Sequence, residues 1–90
     1  MTVERVAMIR DRLQKAFAPE ALEIIDDSHK HAGHAGAQDG RGHFRVRIVS
    51  ARFADAKTLE RHRMVYAALG PLMQTDIHAL SVDAQTPDAR

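Results

Sequence analysis

The chain has 90 residues, of which 44% are hydrophobic and 28% are charged, and 13 basic and 12 acidic side chains leave a formal net charge of +1. A chain of this length supports one small domain, residues 1–90, and its near-neutral charge gives no electrostatic basis for tight nucleic-acid binding, although it still permits a local basic stripe. The absence of cysteine excludes disulfides and a thiolate metal site built from this chain alone. No apolar run approaches the roughly 20 residues that span a bilayer, so a cytoplasmic protein with no membrane partner is expected.

The N-terminal segment is predicted to form an amphipathic helix. Its apolar side chains recur at steps of three and four, and charged side chains occupy the rest of the helical wheel. The helix is predicted to begin near Thr2 and to end at Ala18, because the residue before Pro19 avoids the helical backbone region. The run from Leu22 to Asp27 is then predicted to be a strand.

A histidine- and glycine-rich segment follows, from about His29 to Gly42. It contains His29, His31 and His34 and too few apolar side chains to pack, so it is predicted to be a long loop between two strands. Neutral imidazole is the commonest metal ligand in proteins, and imidazole also titrates near physiological pH. From the residues alone, three interpretations stay open: a metal site, a pH sensor and a solvated polar tract.

The second half of the chain is predicted to contain a strand, a broken helix and a final strand. Apolar and polar residues alternate over residues 43–49 and again over residues 77–84, which is typical of half-buried strands. Helical spacing follows Phe53 and is interrupted at Gly70-Pro71. The predicted core stripe of this helix consists of Leu59, His62, Val65 or Tyr66, and Leu69.

The resulting element order is helix, strand, strand, broken helix and strand. Helices packed on one face of a three-stranded mixed sheet form an α+β sandwich, and the opposite face of the sheet is left to solvent or to a partner. Residues 87–90 are predicted to be a frayed tail.

Five short motifs are spread in order over nearly the whole chain. They are Ser28-x-x-His31, His43-Phe44-Arg45-Val46, Val49-Ser50-x-x-Phe53, Arg61-His62-Arg63-x-Val65-Tyr66 and Ile77-His78-Ala79-Leu80, with Thr86-Pro87 after them. Together these motifs resemble those of the BolA family, and the run from Arg61 to Leu80 is the most specific part of the resemblance. The resemblance implies a class II KH-like fold, α-β-β-α-α-β, which agrees with the predicted element order.

The resemblance also implies a function. BolA proteins are partners of monothiol glutaredoxins, and the two proteins share one [2Fe-2S] cluster for which the glutaredoxin and its bound glutathione supply sulfur ligands. Carried over by motif, the ligands on this chain are His78 and His31, with His34 and His29 as possible substitutes and His43 as a weaker candidate. The expected function is a non-catalytic adaptor in iron–sulfur cluster assembly or trafficking. The isolated protein is expected to carry no cofactor and to be a monomer or a weak homodimer.

Periodicity by itself favours structural roles for two of the histidines. His78 has the parity of Leu80 and Val82, which predicts a position at the rim of the core with one ring nitrogen on a backbone carbonyl. His62 lies on the predicted core stripe of its helix and is interpreted as buried and hydrogen-bonded.

The competing hypothesis is a KH-like DNA-binding regulator, since bacterial family members are described as transcriptional and morphological regulators. KH domains clamp the backbone with a GXXG loop, whereas the helix break here reads Leu69-Gly70-Pro71-Leu72. An enzyme is not expected, because the chain has no cysteine nucleophile, no phosphate-cradling glycine loop and no serine in a nucleophile elbow. The candidate contacts to a nucleic acid or to a partner's carboxylates are Arg45, Arg47, Arg61 and Arg63.

Overall fold

The computed structural model describes residues 2–27 and 42–89. The predicted histidine-rich loop lies outside the described residues, except for Gly42, which already belongs to a strand. The elements are α1 (Thr2–Phe17), β1 (Ala21–Asp26), β2 (Gly42–Val49), a 3-10 helix (Ala51–Phe53), α2 (Thr58–Leu69), α3 (Leu72–Thr75), β3 (Ile77–Gln85) and a second 3-10 helix (Pro87–Ala89).

Helix α1 packs along the sheet through one apolar stripe, as its periodicity predicts. Ile9, Leu13 and Phe17 are buried, and they recur at the helical spacing of four residues. The helix ends at Phe17, one residue before the predicted end. Ala18 follows with a φ of 44°, and its backbone N–H donates to the carbonyl of Gln14 at 3.0 Å. This left-handed residue closes the helix and turns the chain toward β1.

Replacing Ala18 with glycine is expected to stabilise the protein by about 0.5–1 kcal/mol. A left-handed conformation brings the alanine Cβ close to backbone atoms, and glycine avoids this contact at some cost in unfolded-state entropy. Urea unfolding followed by circular dichroism measures the difference. Ala67→Gly, at an exposed position inside α2, is the matched control and should destabilise by about 1 kcal/mol. Equal losses in both variants would contradict the assignment of Ala18 as the helix-closing residue.

The three strands form one mixed sheet in the order β1-β2-β3, with β1 antiparallel and β3 parallel to the central β2. Alternation in β2 places Phe44, Val46 and Ile48 on the buried face, as predicted. Their neighbours on β1 and β3 share this face, for example Ile24 and Val82 beside Val46. All three helices contribute to the same core. The predicted α+β fold is therefore confirmed.

Helix α2 turns a different face to the core from the one predicted. Val65 and Leu69 are buried as expected, but Leu59 is 61% exposed and Tyr66 is 38% exposed. His62 is only partly buried, so its predicted burial in the core is wrong, while its structural role stays a prediction. The seven residues before Val65 place apolar side chains on two sides of the helix. The periodicity of so short a segment does not show which side is buried.

The break between α2 and α3 occurs at Gly70, as predicted. Gly70 has φ 54° and ψ −126°, and its N–H donates to the carbonyl of Tyr66 at 3.0 Å. A side chain at this position would meet the guanidinium of Arg12, since an added Cβ would lie 3.2 Å from its Nη1. Glycine is therefore favoured by the backbone conformation, whereas the flexible Arg12 side chain needs to shift only slightly to admit a Cβ.

Ser50 joins the end of α1 to the end of β2. Its buried hydroxyl donates to the carbonyl of Phe17 at 2.7 Å and accepts from the N–H of Arg52 at 3.2 Å. The first bond satisfies a carbonyl that the C-terminus of α1 leaves without a helical partner, and the second caps the 3-10 helix. The sequence did not predict this 3-10 helix.

Ser50→Ala is expected to lower the free energy of unfolding by about 1–3 kcal/mol, because the carbonyl of Phe17 stays buried without its donor. Chemical denaturation at neutral pH measures this loss. Ser81→Ala, which removes an exposed hydroxyl from β3, should change stability by less than about 0.5 kcal/mol. If Ser50→Ala is as mild as the Ser81 control, the two hydrogen bonds of Ser50 carry no net stability.

The C-terminal end differs from the predicted frayed tail, because residues 87–89 form a 3-10 helix. Pro87 starts this turn, and the fixed φ of proline is suited to a first helical position. Among the helices in the described part of the chain, none combines the length and the apolar character needed to cross a membrane.

Candidate metal centre

A β-bulge at the start of β3 decides the direction of His78. The parallel register pairs Gly42 with Ile77 but His43 with Ala79, so His78 is an extra residue on β3. Ile77 is fully buried, whereas His78 is exposed. The bulge reverses the strand parity on which the predicted rim-of-core position depended, and that interpretation of His78 is therefore wrong.

His43 lies beside His78, on the face of the sheet that turns away from the helices. The alternation of β2 predicts this face for His43, opposite the buried Phe44. The two ring centroids are 5.1 Å apart, and the ring planes are inclined by 53°. The proximity of His43 to His78 depends on the register between two strands that are distant in the chain, so it cannot be predicted from the sequence.

A small open pocket of about 180 Å³ adjoins His43. Asp27 lies beside it with its side chain only 13% exposed, and its carboxylate accepts from Nε of Arg45 at 2.9 Å. The backbone N–H of Asp27 donates to the carbonyl of His43 at 2.8 Å, which extends the pairing of β1 with β2 by one residue. The pocket is lined by Asp27, His43, Phe44, Ala79, Leu80 and Ser81.

The two ends of the described chain next to residues 28–41 are held at this edge of the sheet. The N–H of Asp27 donates to the carbonyl of His43. The N–H of Gly42 donates at 2.9 Å to the carbonyl of Asp76, which is one residue before β3. The candidate ligands His29, His31 and His34 themselves lie outside the described residues. Within residues 2–27 and 42–89, no three His, Cys, Asp or Glu side chains are grouped closely enough to hold a metal ion.

The arginines of β2 are paired with acidic side chains of the neighbouring strands. Besides the Arg45–Asp27 pair, Arg47 lies 3.6 Å from a carboxylate oxygen of Glu23 and 3.7 Å from one of Asp83. The open face of the sheet therefore alternates in charge and does not form the basic stripe that a phosphate backbone requires. Such exposed pairs add little stability.

The arginines of α2 have two different environments. Arg61 donates from Nε to the carbonyl of Ala56 at 2.8 Å and from Nη1 to the carbonyl of Ala84 at 3.0 Å. These bonds use Nε and Nη1 and hold α2 against β3, so Arg61 has a structural role, and its role as a contact for a partner or a nucleic acid stays a prediction. Arg63 is exposed and stays a candidate for such a contact.

Comparison with known proteins identifies the family. The sequence profile of the family described as "BolA-like protein" matches residues 13–89. The chain belongs to the BolA-like family. A relative from Sinorhizobium sp., named "Uncharacterized protein in cobS 5'region", is 44% identical over 81 residues, which cover 88% of this chain and 87% of that protein.

Other BolA relatives carry functional names or solved structures. The "DNA-binding transcriptional regulator BolA" of Escherichia coli (strain K12) is 40% identical over 78 residues, covering 87% of this chain and 71% of the relative. The solved BolA domain of SufE1 from Arabidopsis thaliana superposes with a TM-score of 0.85 at 39% identity, covering 96% of this chain and 95% of that domain. The chain spans 54% of the chloroplastic BOLA1 protein of the same plant. The BolA resemblance and the α+β fold that it implies are thereby confirmed.

Proposed function

We propose that this BolA-like chain is a non-catalytic adaptor in iron–sulfur cluster assembly or trafficking, which binds a monothiol glutaredoxin and shares a [2Fe-2S] cluster with it. The observation that carries the proposal is the exposed position of His78. A bulge directs its imidazole outward, beside a second imidazole, at an edge of the sheet where a partner has access.

The donor set fits a cluster of this kind. Neutral imidazole replaces thiolate on one iron of Rieske centres, and the exchange raises the reduction potential. A chain without cysteine supplies only the nitrogen ligands, and in this proposal the glutaredoxin and its glutathione supply the sulfur. His78 holds one coordination position. For the second position the family resemblance implies His31, which is four residues after Asp27 and thus within about 14 Å of it along an extended chain.

The chain's part in this chemistry is to present neutral imidazole at a partner-accessible edge. Ligation requires an unprotonated ring, so protons compete with the metal for each histidine. A histidine-held position is therefore released more readily than a thiolate-held one when the pH falls. This lability suits a protein that transfers a cluster or responds to its loss.

Anaerobic cluster reconstitution of this chain mixed with a monothiol glutaredoxin tests the proposal. Size exclusion with visible absorption and circular dichroism is expected to show a one-to-one complex whose spectrum differs from that of the glutaredoxin homodimer. Co-elution without colour would contradict the shared cluster and leave only partner binding. Separate elution of the two proteins would contradict the adaptor function as a whole.

DNA binding is the second candidate function, and it is favoured by the name of the Escherichia coli relative. The described residues support it less well. Arg45 and Arg47 are paired with carboxylates, and Arg61 donates to two backbone carbonyls, so the exposed Arg63 is the strongest of these four candidates. If the chain binds DNA, affinity should fall steeply between 50 and 200 mM salt, by about a factor of ten or more, and Arg63→Ala should weaken it.

A further inference from the structure

We propose that two copies of this chain associate through the outer edges of their β1 strands, which pair antiparallel and join the two three-stranded sheets into one continuous sheet. The inference does not rest on the proposed function, because β1 lies at the edge of the sheet opposite β3, the strand that carries His78. A dimer of this kind leaves both β3 edges open to other partners.

The outer edge of β1 directs a row of backbone groups away from β2. Within residues 2–27 and 42–89, β1 has a neighbouring strand on one side only. The N–H of Asp27 donates to the carbonyl of His43 on β2, and alternate residues of an antiparallel strand share one bonding direction. The N–H and C=O groups of Leu22, Ile24 and Asp26 therefore point outward. Such a row is a template for pairing with another strand.

The guanidinium of Arg10 lies over this edge. Its Nη1 donates to the outward carbonyl of Leu22 at 3.5 Å, which is long for a hydrogen bond, and the side chain is half-buried. No carboxylate of the described residues forms an ion pair with Arg10. A guanidinium binds a carboxylate more strongly than it binds a neutral carbonyl. Arg10 is therefore a cation at the edge of the sheet, and its best acceptor has to come from outside the described residues.

A second copy of β1 supplies this carboxylate. Antiparallel pairing of the outward residues about Ile24 places Leu22 of each copy opposite Asp26 of the other. Residues directly opposite each other share one face of the sheet, so Asp26 of each copy lies beside Arg10 of the other. The two-fold symmetry makes this contact twice. A carboxylate has about four acceptor positions, so Asp26 accepts from Arg10 in addition to the groups of its own chain.

The distribution of charge favours this register and a second copy as the occupant. Centring the pair on Asp26 would place two carboxylates opposite each other, and centring it on Leu22 would bring two Arg10 guanidinium groups together, and both arrangements are destabilising. Centring it on Ile24 places each cation beside an anion. Four of the six residues of β1 are apolar. Val3, about two turns before Arg10 on the same side of α1, is 79% exposed and adds an apolar side chain next to this edge.

Analytical ultracentrifugation of the isolated chain tests the dimer. Between about 10 µM and 1 mM, a range typical of weak association, the average mass should rise from that of the monomer toward twice this value. In NMR spectra, the amide signals of Leu22, Ile24 and Asp26 should shift with concentration. Arg10→Glu and Asp26→Arg should each weaken the dimer about tenfold, and the double variant should restore it. Lys57→Glu, at an exposed position before α2, is the matched control and should leave the affinity unchanged.

A chain that stays monomeric over this whole concentration range would overturn the proposal. A dimer that both charge reversals leave unchanged, or whose concentration-dependent amide shifts lie on β3, would also overturn it, because the contact would then lie elsewhere. Circular dichroism reports whether each variant is folded. If a charge reversal unfolds the chain, the amide shifts of Leu22, Ile24 and Asp26 in the unaltered protein decide the question.

Discussion

His78→Ala is expected to remove the visible absorption and circular dichroism of the mixed cluster complex while leaving the fold intact. The imidazole is exposed and belongs to a bulge, so its removal leaves no cavity in the core and should change the free energy of unfolding by less than about 0.5 kcal/mol. The cluster, by contrast, loses one iron ligand. Reconstitution with a glutaredoxin, followed by spectroscopy of the purified complex, measures the effect.

His62→Ala is the matched control for this variant, since His62 is a half-buried histidine on α2, outside the imidazole pair. It should keep the spectrum of the unaltered complex. If His78→Ala also keeps that spectrum, His78 is not a ligand. If His78→Ala unfolds the protein, the bulge has a structural role that exposure does not reveal, and His78→Gln then separates ligation from folding.

Mild acidification is expected to bleach the mixed complex before it bleaches the glutaredoxin homodimer. Imidazole in water is half protonated at about pH 6.5, and protonation competes with the metal for the ring. Protons therefore compete with the metal for the ring increasingly as the pH falls below this value. The mixed complex should lose most of its visible absorption between about pH 6.5 and 5, a range in which imidazole becomes protonated.

The glutaredoxin homodimer provides the comparison, because in this proposal its ligands are sulfur only. Both complexes are titrated anaerobically in the same buffer, and far-ultraviolet circular dichroism reports whether the proteins stay folded. Equal bleaching of the two complexes over the same range would argue against histidine ligation in the mixed complex.

Periodicity was sufficient to predict the elements that each bury one regular stripe. The boundaries of α1, the inward face of β2 and the break at Gly70 follow from patterns of two or four residues and from proline and glycine positions. The buried side of helix α2 is harder to predict, because the helix is apolar on two sides. Only the packing of Val65 and Leu69 determines which side is buried. The link from Ser50 to Phe17 joins residues 33 positions apart, and no local pattern reports such a bond.

The geometry of the candidate site could be predicted from local sequence patterns even less than the fold could. The face occupied by His43 can be predicted from alternation, but the direction of His78 cannot, since one extra residue in β3 reverses the parity. Pairing of His43 with His78 depends on the parallel register of β2 and β3, which the sequence does not display. The charge of Arg47 is neutralised by acidic residues on the two neighbouring strands, and this pairing also depends on the strand register.

The most direct test of the shared-cluster proposal is pulsed electron paramagnetic resonance of the reduced mixed complex, with nitrogen-15-labelled histidine in this chain only. The proposal predicts hyperfine coupling that changes with the label, and loss of that coupling together with the cluster in His78→Ala. A reduced cluster whose spectrum is the same with labelled and unlabelled chain would contradict histidine ligation from this protein.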